Sequence, residues 1–292
     1  VNPRDGNDLL VGGVNLYRSR DGGFTFTQVS TTFDLHADQH VIVEHPRFDN
    51  SANRVLFIGN DGGVYKVADL ATLTSAEGGR FLELNNNLGV TQFYGAAGSP
   101  ITGAIVGGTQ DNGTLLFDPD GGTEGWGSMF GGDGGFSAAD PHDPSYFYGE
   151  YVYLQLHRSD DGGRSASFIF SGLGDAGQRA NFIAPFLLDP NRPRRMLAGG
   201  QGLWRTEDVK ALDPVWRAVK SGSSGNYISA IAIAAGNSDV IWVGHNNGDL
   251  YRTLNGTAST PSWKGMDPSG FPNRFLSRIT NNPLDHSVVY VP

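Results

Sequence analysis

The stretch Leu16-Tyr17-Arg18-Ser19-Arg20-Asp21-Gly22-Gly23-Phe24-Thr25-Phe26 contains the unit that decides the fold. An apolar and aromatic strand ends at a Ser hydroxyl, an Asp follows, and Gly supplies the positive φ that a tight turn needs. Related segments start at Ser159, Thr206 and Thr253, and neighbouring ones are 47 residues apart. This period and the strand-turn-strand pattern are typical of β-propeller blades.

The composition agrees with a chain of many short strands. Of the 292 residues, 42 are Gly, and many of these stand in pairs where turns are expected, as at Gly12-Gly13 and Gly62-Gly63. A hydrophobic content of 38% is enough to fill a core, which argues against disorder. The sequence therefore predicts an ordered all-β protein.

Charge and residue usage exclude several classes of function. The net charge of -9 argues against nucleic acids or anionic membranes as partners, because both are bound by clustered Lys and Arg. No apolar run approaches the length of about 18 residues that a membrane span requires. The chain has no Cys, which excludes disulfides and thiolate metal sites.

The repeat divides the chain into five complete blades and two partial ones. The complete blades are expected at 36–85, 90–130, 131–170, 180–220 and 226–266, and the partial ones at 1–30 and 273–291. We expect one β-propeller domain over residues 1–292, with six or seven blades of four antiparallel strands. Because both terminal blades are incomplete, we also expect the chain to be a fragment of a longer protein.

The order of strands within a blade predicts where a functional site lies. If strands A to D run from the axis to the rim, the B–C and D–A connections share one face. The repeated turns are C–D turns on the opposite, outer face, and we interpret them as structural. Their defining residues are Ser19, Asp21, Gly23, Ser159, Asp161, Gly163, Thr253 and Asn255.

Polar and aromatic residues are concentrated in the predicted B–C and D–A connections. Such side chains hydrogen-bond sugar hydroxyls and stack on sugar rings, or bind cations. The candidate ligand-binding residues are His36, His40, Gln92, Tyr94, Gln110, Tyr151, Tyr227, His245, Asn246 and Arg274.

The pattern His36-x-Asp38-x-His40 is the strongest local signal for a metal. In an extended strand these three positions share one face, so neighbouring pairs could hold a divalent cation such as Ca²⁺ or Zn²⁺. The alternatives are hydrogen bonding between blades, which we favour, and a role with substrate. No cofactor is required by the sequence.

Glycoside hydrolysis would require two carboxylates that face each other across the substrate. The candidates are Asp133, Asp38, Asp61 and Asp111, with Glu150 also available. Asp61 and Asp111 stand in tight turns, where an Asp commonly caps its own turn. Asp133 is better placed, because the glycines around it allow a ligand to approach closely.

The repeated turns resemble the Asp-box (BNR) repeats of sialidases, family 74 xyloglucan hydrolases and sortilin-type propellers. The segments 36–40, 59–63, 92–94 and 108–113, in that order, resemble a group of secreted bacterial propellers labelled glycosyl hydrolase or sortilin-like. Asp133 resembles part of a catalytic segment of the family 74 enzymes, which work between two propellers. A sialidase needs an arginine triad, and only Arg274 and Arg179 are suitably placed.

From this resemblance we expect a secreted, carbohydrate-active propeller that engages a polysaccharide or glycan. The alternative is a propeller that binds a glycan or protein without catalysis, or that supports other domains of the same longer chain. The expected location is extracellular, at the cell surface or periplasmic.

Overall fold

The computed structural model describes residues 2–76, 81–86, 88–89, 91–266 and 271–292. The chain forms two compact units, Val1–Thr91 and Gln92–Pro292. The described residues contain strands, turns and short 3-10 helices but no α-helix. Among them, no helix is long and apolar enough to cross a membrane.

The first unit contains two antiparallel sheets whose strands pair in chain order. The three-stranded sheet consists of β1 (Leu9–Gly12), β2 (Leu16–Ser19) and β3 (Thr27–Gln28). The four-stranded sheet consists of β4 (Gln39–Glu44), β5 (Leu56–Asn60), β6 (Gly63–Val67) and β7 (Phe81–Glu83). Leu16 of the first sheet and Val29, directly after it, pack with Leu56 and Ile58 of the second sheet in one core.

The second unit contains four four-stranded antiparallel sheets and a two-stranded one, again paired in chain order. The first sheet consists of β8 (Phe93–Gly98), β9 (Ile105–Thr109), β10 (Gly113–Phe117) and β11 (Trp126–Phe130). The second sheet consists of β12 (Ser137–Ala139), β13 (Phe147–Glu150), β14 (Leu156–Ser159) and β15 (Ser167–Phe168). The third sheet consists of β16 (Phe186–Asp189), β17 (Arg192–Gly199), β18 (Leu203–Thr206) and β19 (Arg217–Lys220). The fourth sheet consists of β20 (Ile228–Ala234), β21 (Asn237–His245), β22 (Leu250–Thr253) and β23 (Lys264–Gly265). The last pair is β24 (Thr280–Asn281) and β25 (Val289–Tyr290).

The first strands of these five sheets meet at the centre of the second unit. β8 packs against β12, β12 against β16, β16 against β20, and β20 against β24. Together they line a cavity of about 860 Å³, whose walls include Tyr94, Phe136, Phe186 and Ile231. The first strand of each blade is therefore the innermost, as the sequence predicts.

The sheets confirm the predicted fold class, an all-β propeller of four-stranded antiparallel blades. The five four-stranded sheets fall in the five ranges predicted for complete blades, and the shorter sheets in the two ranges predicted for partial blades. The seven sheets that the described residues form fit a seven-bladed count. The agreement arises because alternation and turn residues are local properties of the chain.

The repeated turns use their polar side chains internally. In the first, Ser19 Oγ accepts a hydrogen bond from the Gly23 amide at 2.8 Å and donates one to Asp21 Oδ1 at 2.7 Å. Ser159 makes the same two bonds with Gly163 and Asp161, each at 2.8 Å. Both glycines have positive φ, which residues with a side chain rarely adopt.

The later turn keeps the hydroxyl-to-acceptor bond, with a side-chain amide in place of the carboxylate. Thr253 Oγ1 donates to Asn255 Oδ1 at 2.8 Å, and the same Asn255 oxygen accepts the Ser262 amide at 2.9 Å. Because only an acceptor oxygen is needed, Asn can stand where the other turns have Asp.

The arginine before each turn links neighbouring sheets. The Arg18 guanidinium is 8% exposed and donates to the carbonyls of Leu70, at 2.6 Å, and Leu73, at 3.0 Å. It also forms an ion pair with Asp8 at 2.7 Å. Arg158 and Arg205 repeat the contact on backbone carbonyls about 50 residues further along the chain. Sequence reasoning noted this residue within the repeat but did not predict its role.

The indole groups of two late aromatic residues make a second kind of link. Trp216 Nε1 donates to the Ile169 carbonyl at 2.8 Å, and Trp263 Nε1 donates to the Val219 carbonyl at 2.9 Å. In both cases the carbonyl lies at or next to the outermost strand of the preceding sheet. These bonds satisfy a buried or half-buried indole and tie the rims of adjacent blades.

A buried histidine lies within the second sheet of the second unit. His157, on β14, is fully buried and stacks on Phe130 with ring centroids 4.1 Å apart and an interplanar angle of 11°. Neither ring nitrogen has a hydrogen-bond partner among the described residues. Burial lowers the pKa of His157 to about 3, so the folded protein holds this ring neutral.

This burial predicts loss of stability in acid. A histidine whose pKa is lowered by folding stabilises the protein fully above its unfolded pKa, and this stability is lost as the pH falls. Between about pH 7 and 4.5, the His157→Gln variant should therefore lose about 2 to 3 kcal/mol less unfolding free energy than the wild type. Urea denaturation at several pH values measures this difference in unfolding free energy. His142→Gln, at an exposed position, is the control, and equal pH slopes for all three proteins would refute the assignment.

Candidate functional site

An acidic cluster forms where two connections of the second unit meet. Asp111 lies in the turn between β9 and β10, in a left-handed conformation with φ of 60°. Its backbone amide donates to Asp133 Oδ1 at 3.1 Å, and Asp133 lies in the connection from β11 to β12. Burial raises the pKa of the Tyr94 hydroxyl, and the charges of Asp133 and Asp111 raise it further. We call Tyr94, Asp111 and Asp133 the Asp111–Asp133 cluster.

Glycines allow the two connections to come this close. The Gly134 amide donates to the Thr109 carbonyl at 2.8 Å. A Cβ on Gly108 would overlap the carbonyl oxygen of Gly135, and a Cβ on Gly134 would overlap the carbonyl oxygen of Gly113. Gly is therefore required at 108 and 134 for backbone approach, and this approach positions Asp133 beside the 110–112 turn.

Aromatic residues continue this part of the surface. The half-buried Tyr151 ring lies against Gly132, next to Asp133. Beyond it, Tyr153 is 39% exposed and Phe182 is 43% exposed, with rings edge to face at 5.4 Å. Sequence reasoning identified Tyr151 but missed the Tyr153–Phe182 pair. An aromatic residue within the B–C connection was the available signal for Tyr153.

The loop that presents Tyr153 has an unusual backbone. Tyr153 and Leu154 both have positive φ, at 55° and 64°, which is uncommon for residues with a side chain. The Tyr153 amide donates to the Phe182 carbonyl at 2.9 Å, and its carbonyl accepts the Gly177 amide at 2.7 Å. Such strain persists only where the surroundings fix it, and it recurs at functional sites.

The Glu150 side chain fixes the backbone of this loop by hydrogen bonds. Its side chain is fully buried, and Oε1 accepts the amides of Leu154, at 3.0 Å, and Ala184, at 3.1 Å. Burial raises the pKa of Glu150 well above its usual value, with a further contribution from the charge of Asp133. A carboxyl so enclosed does not touch a ligand at the surface. The sequence included Glu150 among the carboxylates available for catalysis, and the structure instead gives it a positioning role.

Residues 36–40 do not form the straight strand that the metal hypothesis assumed. Strand β4 begins only at Gln39, and Asp38 has a left-handed φ of 63°. The His36 ring packs on Gly62, while His40 Nε2 lies 2.5 Å from Asp61 Oδ1. The ligand atoms of His36, Asp38 and His40 therefore do not all lie within 4.8 Å of one another. The premise of a shared strand face was wrong, because the chain turns at Asp38.

Two carboxylates of the first unit do lie near each other. One oxygen of Asp38 and one of Asp61 are within 4.8 Å. The Asn60 side chain braces the same region by donating to the His36 carbonyl at 3.0 Å. These contacts lie within one blade, so hydrogen bonding of residues 36–40 between blades, the alternative that the sequence favours, stays a prediction.

Two predicted ligand-binding residues are used inside the second unit. Asn246 exchanges side-chain hydrogen bonds with Asn181, at 2.7 and 2.9 Å. His245 is only 2% exposed, and its Nε2 lies 3.3 Å from Lys220 Nζ. Burial therefore corrects the prediction that His245 lies at a ligand-binding surface, whereas Asn246 is half-buried and paired with Asn181.

The other candidates of the second unit lie at or near the surface. Gln92 and Gln110 are exposed, and the Gln110 amide donates to the Gln92 carbonyl at 2.9 Å, so both flank the Asp111–Asp133 cluster. Tyr227 is half-buried and directly precedes β20, while Arg274 is exposed and lies between β23 and β24. These last two residues therefore belong to connections other than the two that form the cluster.

The fold and the site define a class: an all-β propeller with an acidic and aromatic cluster on its B–C and D–A connections. No protein-family model matches the sequence. No curated protein matches it either.

Two of the solved structures that are similar to the chain share little sequence with it. A GH74 enzyme from Niastella koreensis is 16% identical with a TM-score of 0.37, and the match covers 97% of this chain but only 51% of the enzyme. The WD40 β-propeller domain of Doa1 is 11% identical with a TM-score of 0.47, and the match covers 98% of this chain and 86% of that one. The chain thus spans about half the length of the first of these proteins.

Proposed function

We propose that this chain is a glycoside hydrolase-like propeller that engages a polysaccharide through its B–C and D–A connections. The observation that carries the proposal is the Asp111–Asp133 cluster beside exposed aromatic rings. Carboxylates hydrogen-bond sugar hydroxyls, and aromatic faces stack on the apolar faces of sugar rings. The proposal includes an extracellular, cell-surface or periplasmic location.

Asp133 is the residue to which we assign catalysis. Its Oδ1 is oriented by the Asp111 amide, and the residues on either side of it, Gly132 and Gly134, have no side chain that would block a ligand. A second carboxylate must face it across the bond for hydrolysis. Following the family 74 resemblance, another domain of a longer chain would supply that partner. Within the second unit, the alternative partner is Asp111.

The alternative is a propeller that binds a glycan or protein without cleaving it. One observation favours it: Asp133 accepts a hydrogen bond from the neighbouring turn, which is also what a purely structural Asp does. Under this alternative the aromatic rings bind the sugar and the acidic cluster only shapes the surface.

Glycan-array binding with reducing-end release assayed on every hit distinguishes these functions. The Asp133→Asn variant keeps an acceptor oxygen for the Asp111 amide, so we expect it to fold and bind. Its rate of release should fall about 100-fold or more, because a catalytic carboxylate is lost. Phe182→Ala should weaken binding about tenfold by removing a stacking surface. The matched control is Phe24→Ala, which removes a 91% exposed ring from a repeated turn.

Each outcome selects one function. Release that disappears in Asp133→Asn supports the hydrolase, whereas binding without release supports the non-catalytic alternative. Absence of binding to any glycan overturns both carbohydrate proposals. Parallel arrays with EDTA, Ca²⁺ or Zn²⁺ test whether glycan binding requires a divalent cation, in which case chelation weakens binding.

A further inference from the structure

Lys220 lies in an unusual environment in the second unit. It is the last residue of β19, and its Nζ lies 3.3 Å from His245 Nε2 and 3.5 Å from the Ser221 carbonyl. The same nitrogen stands 4.0 Å above the ring of Tyr251, on β22. The half-buried side chain is therefore enclosed by an imidazole, an aromatic face and one carbonyl.

The Tyr251 ring face and two neutral acceptors contact the amine, but no carboxylate forms an ion pair with it among the described residues. Lys210, by contrast, forms ion pairs with Asp140 at 2.8 Å and Asp143 at 3.1 Å. Within the described residues, no carboxylate oxygen pairs with Lys220 at such a distance, and its hydrogen-bond partners are His245 and Ser221. A partly desolvated amine without a carboxylate partner favours its neutral form.

The charges that face Lys220 agree with this conclusion. Burial lowers the pKa of Lys220 to about 8, although the negative charge of Asp249 acts in the opposite direction. Burial and the nearby lysine lower the pKa of His245 to about 4, so the imidazole is neutral and Nε2 accepts a hydrogen bond. A substantial fraction of Lys220 is therefore a neutral amine near pH 8, while an ordinary lysine stays protonated.

We propose that Lys220 is a covalent capture site for aldehydes, including the open-chain form of a reducing sugar. The nitrogen lone pair attacks the carbonyl carbon, the C=O π electrons move to oxygen, and this oxygen takes the proton that nitrogen releases. Loss of one water from the resulting carbinolamine leaves the imine. No oxidant or reductant is needed. His245 Nε2 accepts one N–H and so orients the amine.

Reductive labelling tests the proposal on the intact chain. The protein is incubated with glyceraldehyde and cyanoborohydride at about pH 7.5, and peptide mass spectrometry follows each of its lysines, Lys66, Lys210, Lys220 and Lys264. We expect Lys220 to be labelled about tenfold faster than Lys66 and Lys264, because more of it is neutral at that pH. The advantage should disappear near pH 10.5, where the other amines also lose their protons.

A variant that removes one nearby charge tests the physical cause of the faster labelling of Lys220. Asp249→Asn removes the charge that favours the ammonium form, so labelling of Lys220 at pH 7 should become about two- to threefold faster. Asp285→Asn, which removes an acidic side chain elsewhere in the unit, should have no effect. The proposal is overturned if Lys220 reacts no faster than Lys66 and Lys264 at pH 7.5, or if its labelling rises at the same pH as theirs. The experiment does not depend on the proposed function, because it needs no polysaccharide.

Discussion

Replacing Arg158 with Ala should lower the free energy of unfolding by about 3 to 5 kcal/mol, the largest effect we expect from a single substitution. The guanidinium is 8% exposed and donates to the carbonyls of Val209, at 2.8 Å, and Ala211, at 2.6 Å. Without it, both carbonyls lose their charged partner at the junction of two sheets. Urea denaturation at constant pH measures the difference.

A conservative substitution and a nearby arginine provide the controls. Arg158→Lys keeps the charge, but the lysine side chain is one atom shorter and its Nζ does not reach the position of Nη1, which donates to both carbonyls. We therefore expect a loss of about 1 to 3 kcal/mol. Arg164, in the following turn, is exposed, and Arg164→Ala should change stability by less than about 0.5 kcal/mol. If Arg158→Ala were no more destabilising than Arg164→Ala, the inter-sheet role of the repeated arginine would be wrong.

The second large effect concerns Glu150. Glu150→Ala should cost about 2 to 5 kcal/mol, because the buried amides of Leu154 and Ala184 would lose their acceptor. Glu150→Gln keeps an acceptor oxygen in the same place and should be far less destabilising. The comparison separates the loss of hydrogen bonds from the loss of the carboxyl group.

The pH dependence of Glu150→Gln follows from the raised pKa. Burial raises the pKa of Glu150 in the folded protein, so its contribution is fully present below the unfolded pKa and is lost as pH rises through the folded one. The wild type should therefore lose stability relative to Glu150→Gln as the pH rises above the ordinary pKa of a glutamic acid. Glu124→Gln, at an exposed position, is the control. If the difference in unfolding free energy between the wild type and Glu150→Gln did not change with pH, the raised pKa assigned to Glu150 would be wrong.

Glu150 also connects stability to the candidate site. Its Oε1 fixes the amide of Leu154, and the preceding residue is the exposed Tyr153. Glu150→Ala should therefore disturb the Tyr153–Phe182 pair and weaken glycan binding if the proposed function is correct. Glu150→Gln should bind as the wild type does, because the loop keeps its acceptor.

The sequence by itself determined the all-β class, the blade boundaries and the composition of the connections. These follow from short-range rules: alternating strands, Gly with positive φ, and Ser or Thr hydroxyls that bond the next amides. The turn at Ser19 and the turn at Ser159 make the same bonds because the same few residues recur. Asn255 follows the same rule, because its side-chain oxygen accepts the hydrogen bond that a carboxylate oxygen accepts in the other turns.

Only the tertiary structure decided which of the candidate residues meet and which are buried. The bond between Asp111 and Asp133 joins connections 22 residues apart, and the arginines reach carbonyls more than 50 residues away. His245 and Lys220 face each other because adjacent sheets pack, and this burial shifts their protonation. Such contacts depend on how sheets are placed side by side, and that placement is set by packing over the whole unit rather than by residues adjacent in the chain.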